Sequence, residues 1–166
     1  MTGPGEGGPG EGLRLTHLDE AGAALMVDVS DKDVTVRSAT ATGRVILSAE
    51  CVALLRGGGV PKGDALAVAR VAGIMGAKRT PDLVPLCHPL SLSGVTVDLV
   101  VEDDGVSVTV TARTTDRTGV EMEALTAVSV ACLTLVDMTK AVDPRAVIGE
   151  IRVESKTGGK TGSWIR

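Results

Sequence analysis

The stretch from Val95 to Thr111, VTVDLVVEDDGVSVTVT, reads as two strands joined by a tight turn at Asp103-Asp104-Gly105. Apolar and polar residues alternate on both sides of the turn, and valine dominates each side. Alternation with period two is typical of a strand with one face on the core, and Asp-Gly is a frequent hairpin turn. We therefore predict an antiparallel β-hairpin at the centre of the fold.

Helical patterns lie on both sides of this hairpin. A short helix is predicted over Ala49–Leu55, and Asp64 is a suitable N-cap for a longer helix that ends near Lys78. The three prolines between Thr80 and Leu90 interrupt regular structure. A helix that is apolar on most faces is predicted over residues 120–140, and we expect it to be buried.

Further strands complete the pattern. Strands are predicted over residues 34–41 and 147–153, with an extra N-terminal strand over residues 24–29. The order β-α-β-β-α-β predicts a ferredoxin-like α+β fold, an antiparallel sheet with helices packed on one face. Residues 1–12 contain little besides Gly, Pro and Glu, so we expect a flexible tail there and a single domain over residues 13–166.

The composition argues against several classes of function. The chain has 166 residues, a formal net charge of −4 and a single aromatic residue, Trp164. Without a basic field or stacking side chains, we expect no nucleic-acid partner. The sequence has no run of about 18 apolar residues and no secretory signal pattern, so we expect no membrane contact and a cytoplasmic location. Three dispersed cysteines and two histidines favour neither disulfides nor a metal site, and no cofactor is expected.

The string Pro85–Leu90, PLCHPL, holds adjacent Cys87 and His88 between two prolines. The simplest interpretation is a rigid turn with a buried thiol and a hydrogen-bonded imidazole. The alternative is a functional His88 that binds substrate or carries a proton. Neighbouring residues in an extended segment point to opposite faces, so a Cys–His catalytic dyad is not expected.

Two glutamates open the predicted helix over residues 120–140. Thr118-x-x-Glu121 matches a capping box, which is a purely structural role. Glu123 lies on a mostly apolar helix and needs a partner, because burial of an unpaired carboxylate is costly. An amidine-like or guanidine-like edge of a substrate and a core arginine are equally good partners.

Asp137 and Lys140 lie three residues apart near the end of the same helix, so they share a face. Such a pair is usually a solvent-exposed ion pair of little energetic value. The alternative is an acid/base pair in which each group shifts the pKa of the other.

Lysines also occur beside glycines, at Lys62, Lys156 and Lys160. Backbone N–H groups and ammonium charges that converge on one anion suit phosphate binding. The triplet Gly159-Lys160-Thr161 does not belong to a P-loop, because position 154 is Glu where that motif needs Gly.

Together, several strings at matching spacing resemble the cyclic pyranopterin monophosphate synthase family, also called molybdenum cofactor biosynthesis protein C. The likeness covers about residues 13–163. The strings that carry it are Leu15-Thr16-His17, Met26–Ser30, Lys62-Gly63-Asp64, Ala72-Gly73-Ile74, Ala77–Thr80, Leu86–Leu90, Thr118–Ala127, Asp137-Met138 with Lys140-Ala141, and Lys156 with Gly158-Gly159-Lys160.

The resemblance implies a reaction and an assembly. Enzymes of this family convert 3′,8-cyclo-7,8-dihydroguanosine 5′-triphosphate to cyclic pyranopterin monophosphate and release diphosphate, an early step of molybdenum cofactor biosynthesis. The family has a ferredoxin-like fold. The resemblance also implies a homo-oligomer, a hexamer built as a trimer of dimers, with each active site between two subunits.

The resemblance also implies roles for individual residues. The family's catalytic aspartate falls on Asp137, beside Lys140, and Lys62 joins them as a catalytic cation. The substrate-binding strings fall on Leu86-Cys87-His88 and Met122-Glu123, and Glu121 adjoins them. A triphosphate and a departing diphosphate need positive charge, for which the further candidates are Lys156, Lys160 and Arg37.

Two other classes of function compete with this interpretation. A non-catalytic ligand-binding module on the same fold would need no acid/base pair and would release no diphosphate. A simple nucleotide hydrolase is disfavoured, because the chain lacks a P-loop and an evident carboxylate string for Mg²⁺.

Overall fold

A computed structural model describes residues 17–62 and 64–166 of the chain. The tail predicted over residues 1–12 lies outside the described residues, as does Gly63. In chain order the elements are β1 (Thr35–Ile46), α1 (Ala49–Gly57), α2 (Ala65–Lys78), α3 (Thr80–Leu83), β2 (Leu92–Glu102), β3 (Gly105–Asp116), α4 (Glu121–Thr139), β4 (Val147–Thr157) and β5 (Trp164–Ile165).

The strands form one antiparallel sheet in the order β2-β3-β1-β4-β5. Strand β3 lies between β1 and β2, and the helices α1, α2 and α3 connect those two strands. This is the split β-α-β arrangement of the ferredoxin-like fold, so the predicted α+β class is confirmed. The predicted hairpin is confirmed as β2 and β3, and its ladder extends to Leu92 opposite Thr114.

The two faces of the sheet differ in polarity, as the alternation in sequence predicts. Ala41 and Val45 of β1 and Val108 of β3 are fully buried on the face that packs against the helices. On the opposite face, the hydroxyl groups of Thr40 and Thr111 share a hydrogen bond of 2.9 Å across β1 and β3. Because the chain contains no Phe or Tyr, its core consists of Val, Ala, Leu, Cys and Met side chains.

Helix α4 packs against both the sheet and α2. Small residues allow α2 to approach it closely: a Cβ atom placed on Gly76 would lie 2.9 Å from Val130 of α4. Helix α4 has the length and apolar composition of a membrane span. Residues such as Leu135 and Val128 are nevertheless fully buried inside the protein, as in the core helix of a globular domain.

Two predicted segments differ in the structure. The extra N-terminal strand over residues 24–29 is wrong, because this stretch forms only an isolated bridge between Leu18 and Ala24. Val27 and Val29 line a cleft and do not join a ladder, which accounts for the strand-like alternation of these two residues. The strand predicted over residues 147–153 is longer in the structure, since β4 continues to Thr157 and pairs Lys156 with Trp164 of β5.

Candidate active site

Two clefts open side by side at the N-terminal end of α4. The first cleft has a volume of about 380 Å³, and the second, which we call the cationic cleft, one of about 690 Å³. Both are lined by Lys32, Thr118 and Gly119, so the two spaces share a wall. Together they form a continuous depression over the start of the helix.

Glu123 is the buried acid of the first cleft. The residue is only 3% exposed and lies in the first turn of α4. Burial raises its pKa to about 7, and the neighbouring negative charge of Glu121 contributes to the rise. Within residues 17–62 and 64–166 no Lys or Arg forms a salt bridge with it, so the core-arginine alternative is not supported there. Its carboxyl group is free to meet the polar edge of a ligand.

Glu121 does not form the predicted capping box. Helix α4 begins after Val120, whose side chain makes no capping bond, so Thr118 lies outside the helix end. The Glu121 carboxylate instead forms an ion pair with Lys156, whose Nζ lies 3.2 Å from Glu121 Oε1. A Cβ atom on residue 119 would meet this carboxylate, the flexible end of the Glu121 side chain. The carboxylate therefore links the two clefts.

The cationic cleft gathers positive side chains from three parts of the chain. Arg37 is 8% exposed and its Nε donates to the Asp116 carbonyl at 2.9 Å, so its guanidinium is fixed. Gly159, with a φ of 78°, lies against that guanidinium, and Gly158, with a φ of 84°, lies against the Arg37 backbone and Cγ. The cations that line the cleft are Lys32, Arg37, Lys156 and Lys160.

Lys32 is the residue that sequence reasoning missed. It lies between Asp31 and Asp33, a pattern typical of a solvated turn, and nothing in its local sequence marks it as a ligand-binding cation. Asp28, Asp31 and Asp33 line the cationic cleft as well. Only the path of the chain between residues 26 and 34 brings the lysine over both clefts.

The PLCHPL string forms one wall of the first cleft through Leu86, Cys87 and His88, and Met122 lines the cleft from α4. Burial, followed by the charge of Glu123, raises the pKa of the Cys87 thiol above its ordinary value. The Nε2 atom of His88 lies 2.8 Å from the Val27 carbonyl oxygen. The hydrogen-bonded imidazole expected of a rigid turn is therefore present, inside a cleft.

A second cluster lies at the other end of α4. The Asp137 carboxylate bridges Lys140 Nζ at 2.7 Å and Lys62 Nζ at 3.1 Å, and Lys62 also donates to the Asp137 carbonyl at 2.8 Å. Hydrogen bonds from Lys140 and then Lys62 lower the pKa of Asp137. All three side chains are exposed, so this triad is open to a ligand or to another chain.

The sequence-predicted site residues thus fall into two groups. The substrate-binding residues share the two clefts with Lys156, Lys160 and Arg37, whereas Lys62, Asp137 and Lys140 do not join them. At a rise of about 1.5 Å per residue, Glu121 and Asp137 are separated by about 24 Å along α4. In the part of the chain that the structure describes, no three His, Cys, Asp or Glu residues cluster as a metal site requires.

Comparisons with known proteins point to one family. The family model described as the MoaC family matches residues 26–159. A protein of Streptomyces coelicolor named cyclic pyranopterin monophosphate synthase is 74% identical over 153 residues, covering 92% of this chain and 90% of its own length. The Mycobacterium tuberculosis protein named cyclic pyranopterin monophosphate synthase 2 is 62% identical, covering 92% and 91%. A Parvibaculum lavamentivorans protein with the first of these names is 59% identical, covering 91% and 96%.

Proposed function

The chain belongs to the MoaC family, and from that premise we propose that it is a cyclic pyranopterin monophosphate synthase. As such it is a lyase that converts 3′,8-cyclo-7,8-dihydroguanosine 5′-triphosphate to cyclic pyranopterin monophosphate and releases diphosphate, in molybdenum cofactor biosynthesis. The observation that carries the proposal is the identity of 59–74% to relatives of that name, which covers more than nine-tenths of the chain. One catalytic domain over residues 13–166 would account for this coverage.

The two clefts suggest how the substrate lies. We assign the guanine-derived ring to the first cleft, where the Glu123 carboxyl would meet its amino edge and Leu86, Cys87 and Met122 would supply the walls. The triphosphate is assigned to the cationic cleft, whose fixed Arg37 and neighbouring lysines offset its negative charge. Support for this orientation comes from the charges that line the clefts, because the second cleft has four cationic side chains and three carboxylates, whereas the first has one lysine and two carboxylates.

The triad around Asp137 is assigned the proton transfers. Ring opening, ring closure and formation of the cyclic phosphodiester all require protons to move to and from the substrate. Two ammonium groups at hydrogen-bond distance keep Asp137 ionised, so it can accept a proton while Lys62 and Lys140 neutralise phosphate charge. A carboxylate placed between two lysines is suited to both tasks.

The separation of the two groups supports a site built from two subunits. A substrate in the clefts of one chain is too far from that chain's own Asp137, about 24 Å along α4, for direct contact. We propose that the triad of a second copy completes the site, in a hexamer built as a trimer of dimers in the cytoplasm. Exposed apolar residues on α2, among them Val68, Val71 and Met75, offer surface for such an assembly.

The first experiment tests Asp137 directly. Asp137→Asn should fold normally and lose turnover, measured as diphosphate release and as pterin fluorescence after oxidation. Asp103→Asn is the matched control, because Asp103 makes a comparable exposed ion pair with Arg56 at 2.8 Å on the hairpin turn and lines neither cleft. Product formation by Asp137→Asn at the parent rate contradicts the assignment, and a parent protein that releases no diphosphate supports the binding-module alternative.

Mixed oligomers test the shared site. Asp137→Asn and Lys156→Ala chains are each expected to be inactive alone, because every site then lacks one group. In a mixed dimer, one of the two sites combines Lys156 from the Asp137→Asn chain with Asp137 from the Lys156→Ala chain, so that site is complete. Co-expression should therefore restore part of the activity. If no mixture of the two chains has more activity than the sum of the activities of the separate variants, the two-subunit site is refuted. The proposed reaction is not affected by that result.

A further inference from the structure

Residues 26–34, which we call the strap, cross the opening between the two clefts without forming a helix or a strand. Val27 and Val29 are half-buried and line the first cleft, and Lys32 lines both clefts. The strap therefore supplies one wall and one cation to the proposed substrate site. Its position depends on what holds it there.

Hydrogen bonds inside the strap hold its shape but not its place. The Asp28 carboxylate accepts from the Ser30 amide at 2.9 Å and from the Ser30 hydroxyl at 2.6 Å. The Lys32 amide donates to the Val29 carbonyl at 3.0 Å. These bonds form a compact double turn that ends beside Lys32, and an exposed turn of so few bonds opens readily unless the strap is held from outside.

A single hydrogen bond joins the strap to another part of the described fold, and it comes from His88. A carbonyl oxygen only accepts, so the His88 Nε2 atom must carry the proton that it shares with Val27. The imidazole itself has a rigid support, because Pro85 and Pro89 flank it and the Cys87 amide closes a turn onto the Val84 carbonyl at 3.0 Å. A fixed donor thus meets a segment that makes no other hydrogen bond to the rest of the described fold.

We propose that His88 is a positioning residue: its Nε2–H group fastens the strap across the clefts and so holds Lys32 where it can bind a phosphate chain. The fastening itself does not depend on the enzyme activity, whereas the role of Lys32 rests on the proposed function. The valine wall of the first cleft and the cation of the second are then set by one contact. Loss of that contact would release both.

Two substitutions of His88 separate this role from a direct contact with substrate. The terminal amide nitrogen of Gln reaches the position of Nε2, whereas that of Asn reaches only the position of Nδ1. Hydrogen exchange of the full-length protein measures the effect. His88→Asn should speed exchange of the Ser30 and Lys32 amides by roughly three- to tenfold, which is the change expected when one net hydrogen bond is lost. His88→Gln should restore the parent rates. Parent-like exchange in His88→Asn, or fast exchange in His88→Gln, overturns the proposal.

Binding of inorganic tripolyphosphate tests the consequence for Lys32. Lys32→Ala should weaken binding in the parent and in His88→Gln, but should add little in the His88→Asn background, where Lys32 is already displaced. Additive losses in all three backgrounds would refute the coupling. If tripolyphosphate does not bind the parent, the phosphate role fails, and the exchange rates still decide the fastening.

A measurement on the unmodified protein covers the case in which a His88 variant does not fold. Nitrogen-15 NMR of the parent chain should show the His88 proton on Nε2, with slow exchange relative to His17, which is exposed. A ring with its only proton on Nδ1 could not donate to Val27, and that result would overturn the proposal.

Discussion

Replacement of Glu123 by Gln should stabilise the protein, and the gain should depend on pH. Glu123 is buried at 3% exposure without a cationic partner in the described chain, and its pKa rises from 4.5 to about 7. At about 1.36 kcal/mol per pKa unit, this difference corresponds to ~3 kcal/mol that the ionised carboxylate costs the folded state. Glutamine has nearly the same shape and carries no charge, so it avoids the cost.

The pH window follows from the direction of the shift. Between about pH 4.5 and 7 the folded state binds more protons at Glu123 than the unfolded state does, so the stability of the parent falls as pH rises through this range. Above pH 7 the cost is fully present, and below about 4.5 it is absent. The advantage of Glu123→Gln should therefore be less than about 1 kcal/mol at pH 5 and largest at pH 8.

Thermal unfolding at fixed protein concentration measures the effect. For a chain of this size, ~3 kcal/mol corresponds to a rise in Tm of about 6–12 °C at pH 8. Glu20→Gln is the control, since Glu20 is exposed and should change Tm little at either pH. An equal change in Tm at pH 5 and pH 8, or a lower Tm at pH 8, would show that ionisation of Glu123 does not strain the fold.

Two further predictions concern packing and a buried carboxylate. Gly43→Ala should lower the free energy of unfolding by about 1–3 kcal/mol, because the new Cβ would lie 2.5 Å from Val128 Cγ1 in the core; urea titration measures this, and an unchanged midpoint would refute it. Asp143→Ala should cost about 1–3 kcal/mol at pH 7 by leaving the Ser48 amide without the acceptor it now has at 2.6 Å. Since that hydrogen bond lowers the pKa of Asp143, the loss should shrink as pH falls below about 4, and a loss that does not vary with pH would contradict the ionic role.

Local patterns predicted most of the fold. The hairpin, α2 and α4 follow from alternation, capping and helical spacing, which act over a few residues and need no knowledge of the rest of the chain. The segment over residues 24–29 has the same alternation as a strand but lines a cleft. Alternation with period two shows only that one side of a segment is apolar. It does not distinguish a strand that pairs in a sheet from an extended segment that lines a cleft.

The candidate site was predicted in part. Sequence reasoning selected Glu123, Lys156 and Arg37, and these side chains do share the paired clefts. It missed Lys32, because proximity in a folded chain is set by the path of the strap and not by any local string. It also mistook Glu121 for a cap, since the spacing of a capping box cannot reveal that Lys156, far away in sequence, competes for the carboxylate.

Trp164 gives the protein an intrinsic optical reporter. Its indole is the only one in a chain that contains no Phe or Tyr, and β5 pairs Trp164 with Lys156, which lines the cationic cleft. All near-ultraviolet emission therefore originates at one known place, without background from tyrosine. An anion that draws the lysine inward changes the surroundings of the fluorophore, so occupancy could be followed on unlabelled native protein.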